Sequence, residues 1–365
     1  MGIVEKSNNH SQWPILQRAI EEVKLDIAKP PSLIQRIANK LLASNKKNKP
    51  NRIKYANGIY ILLYHSVVDP DNRQQWEYSY KKGEVTAQQF RCQLEYMLTH
   101  MTPIALSQAP ELLSKGELDR PYFAVTFDDG FQNNLTVANP IIKELNLKPT
   151  VFVNGAFARQ EEVFFRILSA IIIQKGHAHL LAARLRQLIG QYEWSDDGDL
   201  LFIQMKTHYT TDTMEQATID IYKQHVGDPA ELRVHLDLEE LKKLQNNGWE
   251  IGNHTDAHRL LSCQNQQAAI DAIECNAEFL KQNGIYSSDF LCYPVGRAQD
   301  VNKNIEEWLT QHPDIHGIFA NNGVNLKLCR KEWLRFSFGQ HVNSAALDKI
   351  ICSQIERTYK ACLNS

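Results

Sequence analysis

The chain has no CxxC pair, no apolar run long enough to span a bilayer and almost no net charge. Its most apolar stretch, Val163 to Ile173, is short and interrupted by Arg166, whereas a membrane helix needs about 20 consecutive apolar residues. The first residues, MGIVEKSNNHSQWPILQ, are polar and mixed in charge and offer no apolar core for a secretion signal. Lys6 stands where a myristoylation site after Met1-Gly2 wants Ser or Thr. A formal charge of −2 gives no electrostatic reason to expect nucleic acid or an anionic membrane as partner. Seven cysteines, an odd number without framework spacing, read as free thiols in a reducing compartment. The expectation is therefore a cytoplasmic protein with no membrane span. There is no internal repeat and no low-complexity tract.

What is present is a rhythm of strands and helices. Residues 1–55 read as a helical extension and linker. Trp13, Ile15, Leu16 and Ile20, then Leu33, Ile34, Ile37, Leu41 and Leu42, recur at helical spacing around Pro30-Pro31, and a Lys/Asn-rich run ends at Pro50. Ile59 to Tyr64 is continuously apolar, as in a strand buried on both faces, and is followed by His65. Thr86 to Gln89 has capping-box spacing and opens a helix with Phe90, Leu94 and Met97 on one side. Strands into Asp128 and over 149–153 alternate with a helix, which argues for a parallel sheet or barrel. The alternation breaks over about 157–235, where the signals are mostly helical. It resumes with a capping-box start at Asp237 and runs to a final helix around 344–362. The acidic cluster Asp196, Asp197 and Asp199 lacks the spacing and terminal Glu of a calcium loop and reads as a turn.

Two clusters carry chemistry. Thr126-Phe127-Asp128-Asp129-Gly130 ends one apolar strand run, and His254-Thr255-Asp256-Ala257-His258 follows another. One carboxylate and two imidazoles make a three-ligand site with open positions, as a catalytic metal requires, and the second carboxylate is left to accept a proton. Zinc is the first choice for such a donor set, with cobalt, manganese or iron compatible. Adjacent strand residues point to opposite faces, so both Asp side chains reach one site only if the strand ends there. Gly130 permits that turn. The plainer alternative is that Asp128 caps the next helix. His100, His177, His179, His208, His225 and His312 fit ordinary structural roles.

These residues, with Pro140-Ile141-Ile142, Pro149 to Val153, Leu238 to Leu241, Gly248 to Thr255, His258 to Leu261 and Phe290-Leu291-Cys292-Tyr293-Pro294-Val295-Gly296, resemble the NodB-type polysaccharide deacetylases, carbohydrate esterase family 4. The resemblance covers roughly residues 58–155 and 236–340. It implies an α/β fold: a distorted (β/α) barrel of about seven strands in residues 56–365, with a mostly helical insertion at about 157–235 and the metal at the strands' C-terminal ends.

The resemblance also implies roles. Asp129, His254 and His258 are the expected metal ligands, and Asp128 the general base. The Tyr293 backbone N–H would help hold the oxyanion. The family's usual acid, a His in a Leu-x-His triplet, has no counterpart here. His65 is favoured in its place and His341 is the second candidate, while a histidine merely bonded to its loop is the alternative for His65. Where many members have an Arg that orients the base, this chain has Cys292, so Arg297 or Arg335 would supply that charge; either also reads as a surface residue. The insertion should emerge beside the catalytic face as a lid or wall that favours a short sugar. Its apolar helix packs on the barrel or serves as a dimer contact. The implied activity is metal-dependent removal of acetyl from an N-acetylated amino sugar or oligosaccharide, in surface polysaccharide or glycoconjugate metabolism. O-acetyl ester or non-sugar amide hydrolysis at the same site is the alternative enzyme reading, and a non-catalytic carbohydrate-binding barrel the alternative class.

Overall fold

Unbroken runs of β-branched and aromatic residues make strands covered on both faces, and such strands pair in parallel when helices return the chain. The computed structural model shows this arrangement. It describes residues 55–365 except 80–83, 117, 191, 209–210, 302, 321, 330 and 365, so nearly all of the helical extension expected over 1–55 lies outside the described residues. The strands are β1 (Ile59–Tyr64), β2 (Ser66–Val68), β3 (Glu84–Thr86), β4 (Thr102–Pro103), β5 (Tyr122–Phe127), β6 (Thr150–Val153), β7 (Glu250–Asn253), β8 (Phe290–Cys292) and β9 (His316–Ile318). Seven of them form one parallel sheet in the order β1-β5-β6-β7-β8-β9, with β4 pairing at the start of β5. β2 and β3 pair separately. Every residue of β1 is buried.

The sheet curls until its ends meet through a short segment. Trp333 bridges Ile318, and Phe336 bridges Leu62. The Phe319 N–H donates to the Trp333 carbonyl and the Leu63 N–H to the Phe336 carbonyl, both at 2.8 Å. The segment 333–336 thus joins the last strand to the first, and the result is the expected distorted (β/α) barrel.

Local signals in the sequence set the helices. In α1 (Ala87–His100), the Thr86 side chain accepts from the Gln89 N–H while the Gln89 side chain accepts from Thr86, and Phe90, Leu94 and Met97 face inward. The insertion contributes α2 (Phe165–Gln174), α3 (Ala178–Leu188), α4 (Gly198–Thr207) and α5 (Thr211–His225). Of the acidic run expected to be a turn, only Asp196 and Asp197 lie in a bend; Asp197 caps α4 by accepting from the Leu200 N–H, and Asp199 lies in the helix's first turn. α6 (Leu238–Asn246) opens with a capping box between Asp237 and Glu240, and α7 (Gln266–Gln282) follows β7.

The insertion has a core of its own, including Leu168, Leu185, Trp194 and Met214, which is continuous with Phe131, Leu260 and Val295 of the loops after β5, β7 and β8. Those loops lie at the strands' C-terminal ends, so the insertion is a wall on that face. Arg259, next to His258, anchors the wall by pairing with Glu162, Asp212 and Glu215 at 3.1–3.3 Å. The apolar helix α2 is buried over nearly its whole length, largely within the insertion's own core.

Candidate active site

Each candidate side chain leaves the end of a barrel strand. The Asp128 N–H still bonds the Tyr64 carbonyl at 3.0 Å, and the chain then breaks from the sheet. Asp129 and Gly130 both take left-handed backbone (φ 69° and 59°), as do Thr255 (65°), His258 (54°) and Val295 (63°). Among the described residues, four of the six non-glycine residues with positive φ therefore lie in the loops around one point, where strain of this kind marks a constrained site. Val295 centres a tight turn in which the Gly296 N–H donates to the Pro294 carbonyl at 2.7 Å. This conformation is unfavourable for a β-branched residue. A Cβ at Gly130 would meet Val153 Cγ1 at 3.0 Å, so glycine there meets both the turn and the close approach.

These turns bring Asp129, His254 and His258 together. Asp129 Oδ1 lies 3.4 Å from His254 Nε2 and 3.3 Å from His258 Nε2, and all three side chains are buried. Asp129 Oδ1 has no hydrogen-bond partner despite its burial. An orphaned buried carboxylate oxygen is costly, and with two imidazole nitrogens converging on it the three residues offer a donor set that could hold a divalent metal. Burial would raise the Asp129 carboxyl, but His258 and His254 hold it well below the usual range. Burial pushes His258 down to about 3, which leaves its Nε2 neutral. Burial also opposes charge on His254, yet Cys292 and Asp129 more than offset it and hold His254 above its ordinary value. A cation arriving there would displace a proton. His254 Nδ1 sits 2.8 Å from the Cys292 carbonyl, which fixes the tautomer that presents Nε2.

Buried amides hold this loop. Asn154 donates to the His254 and Thr255 carbonyls. Asn276 donates to Asn253 Oδ1, which accepts from the Thr255 N–H. His235 sits beneath Asp129, with Nδ1 2.9 Å from its carbonyl, stacked on Phe157 at 4.4 Å. Burial pushes His235 down to about 4. None of these supports stood out in the sequence, because buried Asn and His at strand ends look like ordinary turn residues.

Asp128 caps no helix. Arg335, fully buried, grips it with both arms of the guanidinium: Nη1 to Oδ1 at 2.6 Å and Nη2 to Oδ2 at 2.8 Å. Arg335 also donates to the Phe319 carbonyl at 3.0 Å and to Cys292 Sγ at 3.1 Å. Burial would raise the Asp128 carboxyl, but Arg335 and then His254 hold it below the usual range. Burial pushes the Cys292 thiol up, so it stays protonated and donates to Asp128 Oδ1 at 3.5 Å. Of the two arginines expected to supply the orienting charge, Arg335 does so, from the closing segment of the barrel.

The other expected residues divide. His65 follows β1, half-buried, and its charge is felt by both Asp128 and Asp129. His341 is exposed, and its carbonyl accepts from Gln93 Nε2 at 2.8 Å; the structure does not bring it to the carboxylates. Arg297 forks onto Asp300 at 2.7–2.8 Å, away from Asp128. The Tyr293 N–H donates to the Ile318 carbonyl at 3.2 Å. That group is consumed by the β8–β9 ladder, which corrects its expected role toward an oxyanion.

Comparison with known proteins agrees with this geometry. A family model described as polysaccharide deacetylase matches residues 115–312, more than half of the chain. The chain belongs to the polysaccharide deacetylase family. The matched range includes Asp128, Asp129, His254 and His258 but stops short of His65 and Arg335. No curated protein matches the chain. Among solved structures, the Streptococcus pyogenes deacetylase PplD in complex with acetate is similar at TM-score 0.52 and 16% identity, over 81% of this chain and 99% of that one. IcaB from Ammonifex degensii is similar at TM-score 0.51 and 15% identity, over 82% and 98%. A de-N-acetylase from Aggregatibacter actinomycetemcomitans is similar at TM-score 0.50 and 13% identity, over 80% and 100%. At these identities the likeness concerns the fold.

Proposed function

We propose that this deacetylase-family chain is a metal-dependent hydrolase that removes the acetyl group from an N-acetylated amino sugar used in building a surface polysaccharide or glycoconjugate. The observation that carries the proposal is the convergence of Asp129, His254 and His258 on an otherwise unpartnered carboxylate oxygen, beside a second carboxylate clamped by Arg335. Family membership supports the sugar substrate.

Asp129, His254 and His258 would hold a divalent cation, zinc first, which would supply Lewis acidity to the acyl group and to the attacking water. Asp128 takes the water's proton on a carboxylate lone pair that the Arg335 fork leaves open. Arg335 fixes the direction of that carboxylate but also lowers its basicity, so Asp128 relies on placement. His65 gives a proton to the departing nitrogen, since an amine anion is a very poor leaving group. The helical wall narrows the approach and favours a short sugar over a long crystalline polymer.

The test is acetate release by metal-loaded protein from a panel of N-acetylated and O-acetylated sugars. Release from the N-acetyl compounds supports the proposal. Release from the O-acetyl compounds alone would replace it with an esterase. His65→Gln is expected to lower kcat on an N-acetyl sugar by about 10²–10⁴-fold, the usual share of a general acid. Any O-acetyl turnover should fall less, because an alkoxide leaves more easily than an amide anion. Equal losses on both would remove His65 from the acid role.

A further inference from the structure

The insertion returns to the barrel along the loop that carries the two carboxylates. Residues 234–236 run antiparallel to 130–132: the Gln132 N–H donates to the Val234 carbonyl at 2.9 Å and the Leu236 N–H to the Gly130 carbonyl at 2.8 Å, with His235 opposite Phe131. His235 turns its ring onto the residue before this pairing. Its Nδ1 lies 2.9 Å from the Asp129 carbonyl, and a carbonyl only accepts, so Nδ1 carries the proton. Nε2 is then a bare acceptor. It is buried and has no hydrogen-bond partner, in a residue that is 3% exposed. Phe131 stacks on the ring at 5.4 Å and Phe157 at 4.4 Å between centroids.

Packing does not ask for a histidine there. A phenylalanine would fill the same stack with no polar atom to bury. An unpartnered buried acceptor costs at least as much as one hydrogen bond returns, so the Nδ1 bond does not repay histidine in stability. Its effect is on geometry, because it fixes the peptide plane that follows Asp129. Asp129 holds φ at 69°, a backbone region uncommon outside glycine that the surroundings must keep in place. Its Oδ1 has to stay 3.4 Å from His254 Nε2 and 3.3 Å from His258 Nε2 for the three to act as one donor set. The insertion also reaches the other ligand loop. The Phe164 ring lies 4.6 Å from the His258 ring, and Arg159 forks onto Asp256, between the two histidines, at 3.1 and 3.2 Å.

We infer that His235 is a positioning residue for the metal: its Nδ1–H holds the Asp129 backbone, and through it Oδ1, facing the two imidazole nitrogens. The insertion then sets metal affinity as well as access to the site. This rests on the metal-dependent reading of Asp129, His254 and His258. No proton moves and no covalent bond is made; His235 acts through Asp129 alone.

The test is titration of zinc into the metal-free protein against a chromophoric chelator, with denaturant unfolding of the same metal-free samples, for wild type, His235→Phe and His235→Asn. The two variants separate the donor from the stack. His235→Phe keeps the stack and loses the donor, whereas His235→Asn loses the ring but places an N–H donor where Nδ1 stands. His235→Phe should unfold near the wild-type midpoint, because it removes one unpartnered acceptor as it takes this donor from the Asp129 carbonyl. Its zinc affinity should fall about 10–100-fold, the usual effect of losing a group that orients a metal ligand. His235→Asn should unfold earlier yet bind zinc more tightly than His235→Phe. Zinc affinity that follows the unfolding midpoint instead, tight in His235→Phe and weak in His235→Asn, would make His235 a packing residue and overturn the inference. Equal affinity in wild type and His235→Phe would do the same, and that pair decides even if His235→Asn does not fold. A wild type that binds no zinc would sink the metal reading itself and this inference with it, so the two failures are distinguishable. Neither readout needs turnover, so both stand apart from the acetate assay.

Discussion

Replacing Arg335 with Met is expected to lower folding stability by about 3–5 kcal/mol, the cost of removing one partner from a buried ion pair. Arg335 is fully buried and meets both oxygens of a carboxylate that is itself 4% exposed. Methionine roughly fills the stem's volume but leaves Asp128 charged, or forces it to take a proton, inside the barrel. It also removes the guanidinium bond to the Phe319 carbonyl, at the seam where the segment 333–336 closes the sheet. Denaturant unfolding of Arg335→Met, Asp128→Asn and the double variant measures this. The double variant should lose clearly less than the sum of the single losses, because the unpaired charge is gone from both sides. Strict additivity would mean that the pair is not coupled and that Arg335 acts only as packing.

Asp128→Asn is expected to cut kcat by about 10²–10⁴-fold, the range of a lost general base, while metal content stays at the wild-type level. The reasoning is geometric. Asp128 is bound to Arg335 and Cys292, whereas the histidine nitrogens converge on Asp129. Loss of kcat with metal retained assigns Asp128 to proton transfer. Loss of metal together with activity would make Asp128 a ligand and reverse the roles of the two carboxylates.

Much of this was legible in the sequence where local rules suffice. The runs into Asp128 and toward His254 read as strands because a doubly buried strand must be largely apolar. The capping boxes at Thr86 and Asp237 formed because each pairs a side chain with a backbone group three residues away. The residues that converge on Asp129 Oδ1 were legible because they follow two strand runs, and βα barrels collect their sites at those ends. Other features depend on contacts across the chain. Arg335 and Asp128 are 207 residues apart, and only the closing segment decides that Arg335, not Arg297, reaches the carboxylate. The Tyr293 N–H bonds the Ile318 carbonyl because β8 pairs with β9, which no local pattern specifies. His341 lies in the right stretch of sequence, but its loop is tied to α1 through Gln93.

The most direct measurement is the metal content of purified wild type and Asp129→Ala by elemental analysis, with circular dichroism to confirm that both are folded. Roughly one divalent metal per wild-type chain is expected, absent from the variant, because Asp129 supplies the one carboxylate on which both histidines converge. A folded wild type that takes up no divalent metal, even when metal is supplied in excess, would rule out a metal-dependent hydrolase. The barrel would then be a carbohydrate-binding scaffold that keeps the family's residues without their chemistry.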